Sequence, residues 1–114
     1  MILSGKTVLI TGGRRIGAGL ARQLAERGMN IAVSYRTSRE EMRTLVADCQ
    51  QMGVQADAFQ ADLCSSLEAE RLVDWTVETF GSIDILINLT SIYHPTPFAS
   101  LQPSDYEAML AANL

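Results

Sequence analysis

The chain has 114 residues, of which 47% are hydrophobic, and its formal net charge is −4 at pH 7. This length allows one small domain with a core of its own and no second lobe. The acidic balance and the lack of a basic run argue against a nucleic-acid partner. The chain has no apolar run of membrane-spanning length and no signal-peptide pattern at its N-terminus, so we expect a cytoplasmic domain with no membrane partner.

The sequence alternates between strand and helix patterns. We predict strands over Lys6–Ile10, Ile31–Tyr35, Val54–Gln60 and Ile83–Asn88. The helices between them are marked by apolar stripes, at Ile16, Leu20, Ala21, Leu24 and Ala25, at Met42, Leu45, Val46 and Cys49, and at Leu72, Val73, Thr76 and Phe80. Gly28, Gly53 and Gly81 mark their ends. Such alternation predicts an α/β fold with a parallel sheet and helices on both faces.

Local polar patterns refine this prediction. Ser38 with Glu41, and Ser65 with Glu68, have the spacing of capping boxes at helix N-termini. Cys49 and Cys64 lack the spacing of a metal site or of a disulfide framework, so we expect two core thiols and no metal. The last strand is apolar almost throughout, as expected for a strand that is covered on both faces.

A glycine turn joins the first strand to the first helix and includes Gly12, Gly13 and Gly17. A helix N-terminus offers unpaired N–H groups to a phosphate, and glycines let the backbone approach it. Arg14 and Arg15 add positive charge there. We therefore favour a dinucleotide-binding turn over a merely structural strand–helix connection.

Two further positions suggest a ligand. Arg36 follows the second strand, where an acidic residue would bind the ribose of NAD; a cation there suits the 2′-phosphate of NADP, although an exposed loop arginine is the alternative. Residues 89–102 form a predicted loop beside the glycine turn, and Tyr93 within it either packs on the core or faces a ligand. A helix is predicted from Pro103, with Asn113 on the stripe of Tyr106, Met109 and Leu110.

Together these motifs resemble the N-terminal part of a short-chain dehydrogenase/reductase over essentially the whole chain. Thr11–Gly17 stands at the family's cofactor turn, and Asp62-Leu63 at its adenine contact. Asn88-Leu89-Thr90-Ser91 stands at its Asn-Asn-Ala-Gly motif, and Asn113 matches its catalytic-site asparagine. The resemblance implies the N-terminal part, residues 1–114, of a single dinucleotide-binding Rossmann-like domain, with about four parallel strands in the order 3-2-1-4.

The resemblance also implies the site residues. Those expected to bind NADP(H) are Gly12, Gly13, Arg14, Arg15, Ile16, Gly17, Tyr35, Arg36, Thr37, Asp62, Leu63, Asn88 and Thr90. Ser91 and Tyr93 are expected at the substrate, and Asn113 in the proton relay. Asp62 could equally cap a turn, and Asn88 could serve the sheet as well as the ligand.

Within the family, Arg14-Arg15-Ile16-Gly17, Ser34–Thr37 and Tyr93–Pro97 are most similar to pteridine reductases. This similarity implies reduction of a pterin or another carbonyl or imine compound by an enzyme that forms homo-oligomers. The alternatives are a 3-oxoacyl-type carbonyl reductase and a non-catalytic nucleotide-binding or interaction module.

The family's catalytic Tyr-x-x-x-Lys pair is not found in these 114 residues, in which Lys6 is the only lysine. In the family, that tyrosine gives or takes the proton and the lysine lowers its pKa. We therefore expect a fragment that carries the cofactor half-site and is inactive alone.

Overall fold

The computed structural model describes residues 2–13, 15–90 and 103–104. Four strands and three helices alternate: β1 (Thr7–Thr11), α1 (Ile16–Glu26), β2 (Asn30–Tyr35), α2 (Arg39–Gln51), β3 (Ala56–Gln60), α3 (Ser66–Phe80) and β4 (Ile85–Asn88). The strands are parallel and their order in the sheet is β3-β2-β1-β4. The predicted α/β class, strand order and parallel sheet are therefore confirmed. No helix within the described ranges is long and apolar enough to cross a membrane.

Alternate side chains of the strands enter two apolar clusters on opposite faces of the sheet. Val8 and Ile10 of β1 pack with α1 and α2, whereas Leu9 packs towards Leu72 of α3. Trp75 completes the α3 side and lies 5.1 Å from Phe59, centroid to centroid. Each fully buried aliphatic side chain contributes about 1.5–3 kcal/mol. Helices therefore cover both faces, as the alternation predicted.

Several predicted boundaries were wrong by one or two residues. β1 begins at Thr7 rather than at Lys6, and β2 includes Asn30. β3 and β4 each begin two residues later than predicted, at Ala56 and Ile85. Apolar residues next to a strand, such as Ile83, pack on the core without joining the sheet, so hydrophobicity alone overestimates strand length.

Two helical stripes were predicted too wide. Ile16 is 77% exposed and Val73 is 46% exposed, whereas Ala21, Ala25, Leu72 and Thr76 are buried. Leu86 of β4 is 62% exposed, so one face of this strand is not fully covered by the described residues. Cys49 is buried as predicted, but Cys64 is exposed on the turn before α3, and both thiols are free.

The two predicted capping boxes differ in outcome. Ser38 is the N-cap of α2, as predicted, but its side chain makes no capping hydrogen bond, so the Ser38 half of that box is not formed. At α3, the Glu68 N–H donates to Ser65 Oγ over 3.4 Å. The Glu68 carboxylate accepts from the Asp62 N–H, at 3.1 Å, instead of from the N-cap residue. Only half of the second box is formed.

The outer edge of β3 carries hydrogen bonds from side chains. The backbone groups of Gln55 and Ala61 form hydrogen bonds with β2. Because successive residues of a strand face opposite sides, the backbone groups of Ala56 and Ala58 point away from β2. Gln50 Nε2 donates to the Ala56 carbonyl at 3.1 Å. The Ala58 N–H donates to Asp57 Oδ1 at 2.8 Å. Side chains therefore satisfy two of the outward-facing backbone groups.

Asp84 links the start of β4 to the start of β1 through two hydrogen bonds. Its Oδ2 accepts from the Thr7 N–H at 2.8 Å, and its own N–H donates to the Thr7 carbonyl at 2.9 Å. The hydrogen bond from the Thr7 N–H lowers the pKa of the Asp84 carboxyl. Partial desolvation raises this pKa, and the Ser82 hydroxyl and the charge of Lys6 lower it further. The carboxylate is thus favoured in the folded state.

We expect this carboxylate to make folding acid-sensitive. A group whose pKa is lower in the folded state stabilises it above the unfolded pKa and loses that contribution as the pH falls below about 4. The free energy of unfolding should therefore fall less between about pH 5 and pH 3 in Asp84→Asn than in the wild type, measured by urea titration. Asp74→Asn, which changes an exposed carboxylate of α3, is the control. An equal acid dependence in all three proteins would contradict the assignment.

Candidate functional site

The strand order reverses between β1 and β4, and the carboxyl ends of these two strands meet at one crevice. In doubly wound sheets, ligands bind at such a switch point. β1 ends at Thr11 and continues into the glycine turn; β4 ends at Asn88 and continues into Leu89 and Thr90. The predicted glycine turn and the predicted Asn88 motif therefore face each other across this crevice.

Gly12 and Gly17 allow three backbone segments to converge here. Gly12 has φ of +79°, and a Cβ at this position would lie 3.0 Å from the Leu89 carbonyl carbon and from the Thr90 nitrogen. A Cβ at Gly17 would collide with the Gly12 carbonyl oxygen. Both glycines are thus required for the turn to pass between β4 and the start of α1.

Gly13 holds the turn against β2 and α2. Its N–H donates to the Ser34 carbonyl at 3.2 Å. A Cβ there would lie 2.9 Å from Met42 Sδ, the end of a flexible side chain that could shift. Gly13 is buried and therefore lies on the side of the turn that packs against the core.

Arg15 is the N-cap residue of α1 and has φ of +58° and ψ of −108°. A non-glycine residue in such a conformation costs about 1–3 kcal/mol, and strain of this kind clusters at functional sites. Arg15 is exposed at the helix N-terminus, where its charge adds to the positive end of the helix dipole. Ile16 follows it with its side chain towards solvent.

Asn88 links the two strands at the crevice. Its Oδ1 accepts from the Thr11 hydroxyl at 2.6 Å and from the Thr90 N–H at 3.2 Å. The Leu89 N–H donates to the Thr11 carbonyl at 2.9 Å, which adds a backbone bond beside this pair. Asn88 therefore serves the sheet; its contact with a ligand remains a prediction.

A cleft of about 230 Å³ extends from the glycine turn across the ends of β2 and β3. Five of the predicted site residues line it: Gly12, Tyr35, Arg36, Leu63 and Thr90. Ser34, Ala61 and Leu89 also line it but were not among the predicted site residues. Each of the three lies next to a predicted site residue in the chain, which is the signal that could have found them.

Asp62 closes the turn between β3 and α3. Its Oδ1 accepts from the Cys64 N–H at 3.0 Å, and its carbonyl accepts from the Ser65 N–H at 3.0 Å. The turn-capping alternative therefore holds, and a contact with adenine remains a prediction. Thr37 is exposed in the loop after Arg36.

Four predicted site residues, Arg14, Ser91, Tyr93 and Asn113, lie outside the described residues. So does the predicted helix stripe on which Asn113 was placed. Pro103 and Ser104, where that helix was predicted to begin, are helical.

The order of the strands, the helices on both faces and the glycine turn at the switch point define a Rossmann-like fold. A family model described as short chain dehydrogenase matches residues 6–114. The chain belongs to the short-chain dehydrogenase/reductase family.

Named relatives are similar over almost the whole chain. A 3-oxoacyl-[acyl-carrier-protein] reductase, FabG, of Staphylococcus aureus is 33% identical over 110 residues, which are 96% of this chain and 45% of that protein. Hydroxynaphthalene reductase arp2 of Aspergillus fumigatus is 37% identical over 112 residues, 97% of this chain and 41% of that protein. The chain thus spans less than half the length of either relative.

A solved structure agrees with the fold. A short-chain dehydrogenase from Burkholderia cenocepacia in complex with NADP superposes with a TM-score of 0.93 at 36% identity. The match covers 100% of this chain and 47% of that one. The Rossmann-like assignment is confirmed. The closer similarity to pteridine reductases predicted from the sequence is not shown by these relatives.

We expect two glycines of α1 to respond in opposite ways to the same substitution. Gly17→Ala should destabilise the fold by about 1–3 kcal/mol, because the added methyl group meets the Gly12 carbonyl. Gly19→Ala should stabilise it by up to about 1 kcal/mol, because nothing lies within 4 Å of its Cβ and alanine favours the helix. Urea unfolding measures both, and equal shifts would contradict the close approach at Gly17.

Proposed function

We propose that this chain forms the cofactor half-site of an NADP(H)-dependent oxidoreductase of the short-chain dehydrogenase/reductase type. The observation that carries this proposal is the cleft between the glycine turn and Arg36. It joins the bare backbone of the glycine turn at Gly12 to an exposed cation, Arg36. NADPH, when bound, supplies a hydride.

The residues present fit such a cofactor. Bare backbone at Gly12 and the N-terminus of α1 suit the pyrophosphate, and Arg15 contributes charge beside them. Tyr35 and Leu63 offer apolar surface on the side of the cleft proposed for the adenine. Proton donation, in this proposal, belongs to residues other than these 114, because the chain contains no Tyr-x-x-x-Lys pair.

Arg36 is proposed to select NADP(H) over NAD(H). It lines the cleft, is exposed, and makes no side-chain hydrogen bond or ion pair to another described residue. An arginine can bind a phosphate through two parallel charge-assisted hydrogen bonds. The NADP in the Burkholderia cenocepacia structure supports this choice of cofactor.

Reversing the charge at Arg36 tests this choice in the complete protein. In Arg36→Asp, the NADPH/NADH affinity ratio should fall by about 10- to 100-fold, because a hydrogen bond to a charged group is worth about 1.5–3 kcal/mol. Fluorescence titration with each cofactor measures the ratio. Arg27→Asp makes the same charge change after α1, at the opposite end of the sheet, and should leave the ratio unchanged. A ratio that Arg36→Asp does not alter would show that Arg36 does not read the phosphate.

For the substrate, we propose a flat bicyclic ring of the pterin type. The support is the resemblance to pteridine reductases inferred from the sequence alone, at Arg14–Gly17, Ser34–Thr37 and Tyr93–Pro97. The arp2 relative adds to it, because its name indicates another bicyclic aromatic compound. The FabG relative favours a second candidate, a 3-oxoacyl thioester. The proposed stacking surface for a pterin is the ring of Tyr93.

The two candidates differ in what they gain from an aromatic ring. A pterin stacked on Tyr93 gains about 0.5–1.5 kcal/mol beyond burial, whereas a flexible acyl chain gains little. In the complete protein, Tyr93→Ala should therefore lower kcat/KM for a dihydropterin by up to about tenfold more than for a short 3-oxoacyl thioester, and Tyr93→Phe should retain both. Equal losses, or turnover of the thioester alone, would favour the acyl reductase.

A further inference from the structure

The side chain of Gln60, on the neighbouring strand β3, holds the loop that follows β2. Gln60 is the last residue of β3. Its Nε2 donates to the Arg36 carbonyl at 3.0 Å, and its Oε1 accepts from Arg39 Nη2 at 3.4 Å. The amide of Gln60 therefore links Arg36, at the start of the loop, to Arg39, the first residue of α2.

The hydrogen bond from Gln60 restrains the backbone of Arg36, whose side chain has no other restraint from the described residues. The Arg36 side chain makes no hydrogen bond or ion pair to another described residue, so its direction depends on where its own backbone is held. Gln60 fixes the Arg36 carbonyl on the β3 side, while the Arg36 residue lines the cleft. The amide thereby restricts the positions from which the guanidinium can reach a ligand.

The chemistry of a glutamine suits this place. A carboxylate could also accept from Arg39, but it could not donate to the Arg36 carbonyl, and its charge would weaken the attraction of both arginines for an anion. A neutral amide makes both hydrogen bonds and leaves the two positive charges intact. Arg39 keeps its other N–H donors free of Gln60, since guanidinium has five.

We propose that Gln60 is a positioning residue that orients Arg36 towards a phosphate on the 2′-position of an adenosine ribose. The inference rests on the proposed NADP(H) function and deepens it. Gln60 acts through the loop and need not touch the ligand. Its loss should weaken recognition of the 2′-phosphate more than recognition of the rest of the nucleotide.

The experiment compares two small ligands that differ only in that phosphate, adenosine 2′,5′-bisphosphate and adenosine 5′-monophosphate. Calorimetry on the complete protein gives the ratio of their affinities. Gln60→Met keeps the length of the side chain and removes both hydrogen bonds. Gln50→Met is the matched control, because it removes another glutamine-to-backbone hydrogen bond of β3, at Ala56, away from the loop.

We expect the bisphosphate/monophosphate ratio to fall by about 3- to 10-fold in Gln60→Met and to stay at the wild-type value in Gln50→Met. Monophosphate affinity should change little in either variant. A wild-type ratio in Gln60→Met, or an equal loss for both ligands, would overturn the positioning role while leaving the NADP(H) proposal in place. A wild-type protein that binds both ligands equally would overturn the NADP(H) proposal and this inference with it.

Discussion

The candidate site depends on a close approach of backbones at Gly12 and Gly17. The turn after β1, the first residues of α1 and the extension of β4 meet with no side chain between them. Asn88 and the Leu89 N–H hold β4 against Thr11 and keep this distance short. A methyl group at either glycine would push the segments apart. The path of the glycine turn through the crevice is a consequence of this packing requirement.

The polar groups around the crevice fall into two sets. Asn88 and Asp62 have oxygens that are occupied by hydrogen bonds within the protein, and these bonds shape the strand ends and the turn before α3. Arg36 and Arg15 are exposed cations at the two sides of the glycine turn. The first set fixes the backbone next to residues that line the cleft, and the second set is the one that we propose meets a ligand. An anion is therefore the type of ligand that this arrangement favours.

The sequence predicted the parallel sheet and the glycine turn because both leave local signals, a regular alternation of apolar segments and a glycine-rich connection. It overestimated burial at Ile16 and Val73, because helical spacing locates a stripe but not its width. It did not include Ser34 and Ala61 among the site residues, although each lies next to one in the chain, because the pattern does not show that the sheet brings these two strand ends together. Gln60 gave no signal either, since its partners lie 24 and 21 residues away in the chain.

The hydrogen bonds on the outer edge of β3 limit the side of the sheet at which a further strand could be added. Gln50 and Asp57 occupy backbone groups that another strand would need, so this edge is a poor template for pairing with a further strand. At the opposite side, β4 pairs with β1 and with no other described strand. A longer sheet would therefore be built outwards from β4, and accidental pairing between chains through β3 would be disfavoured.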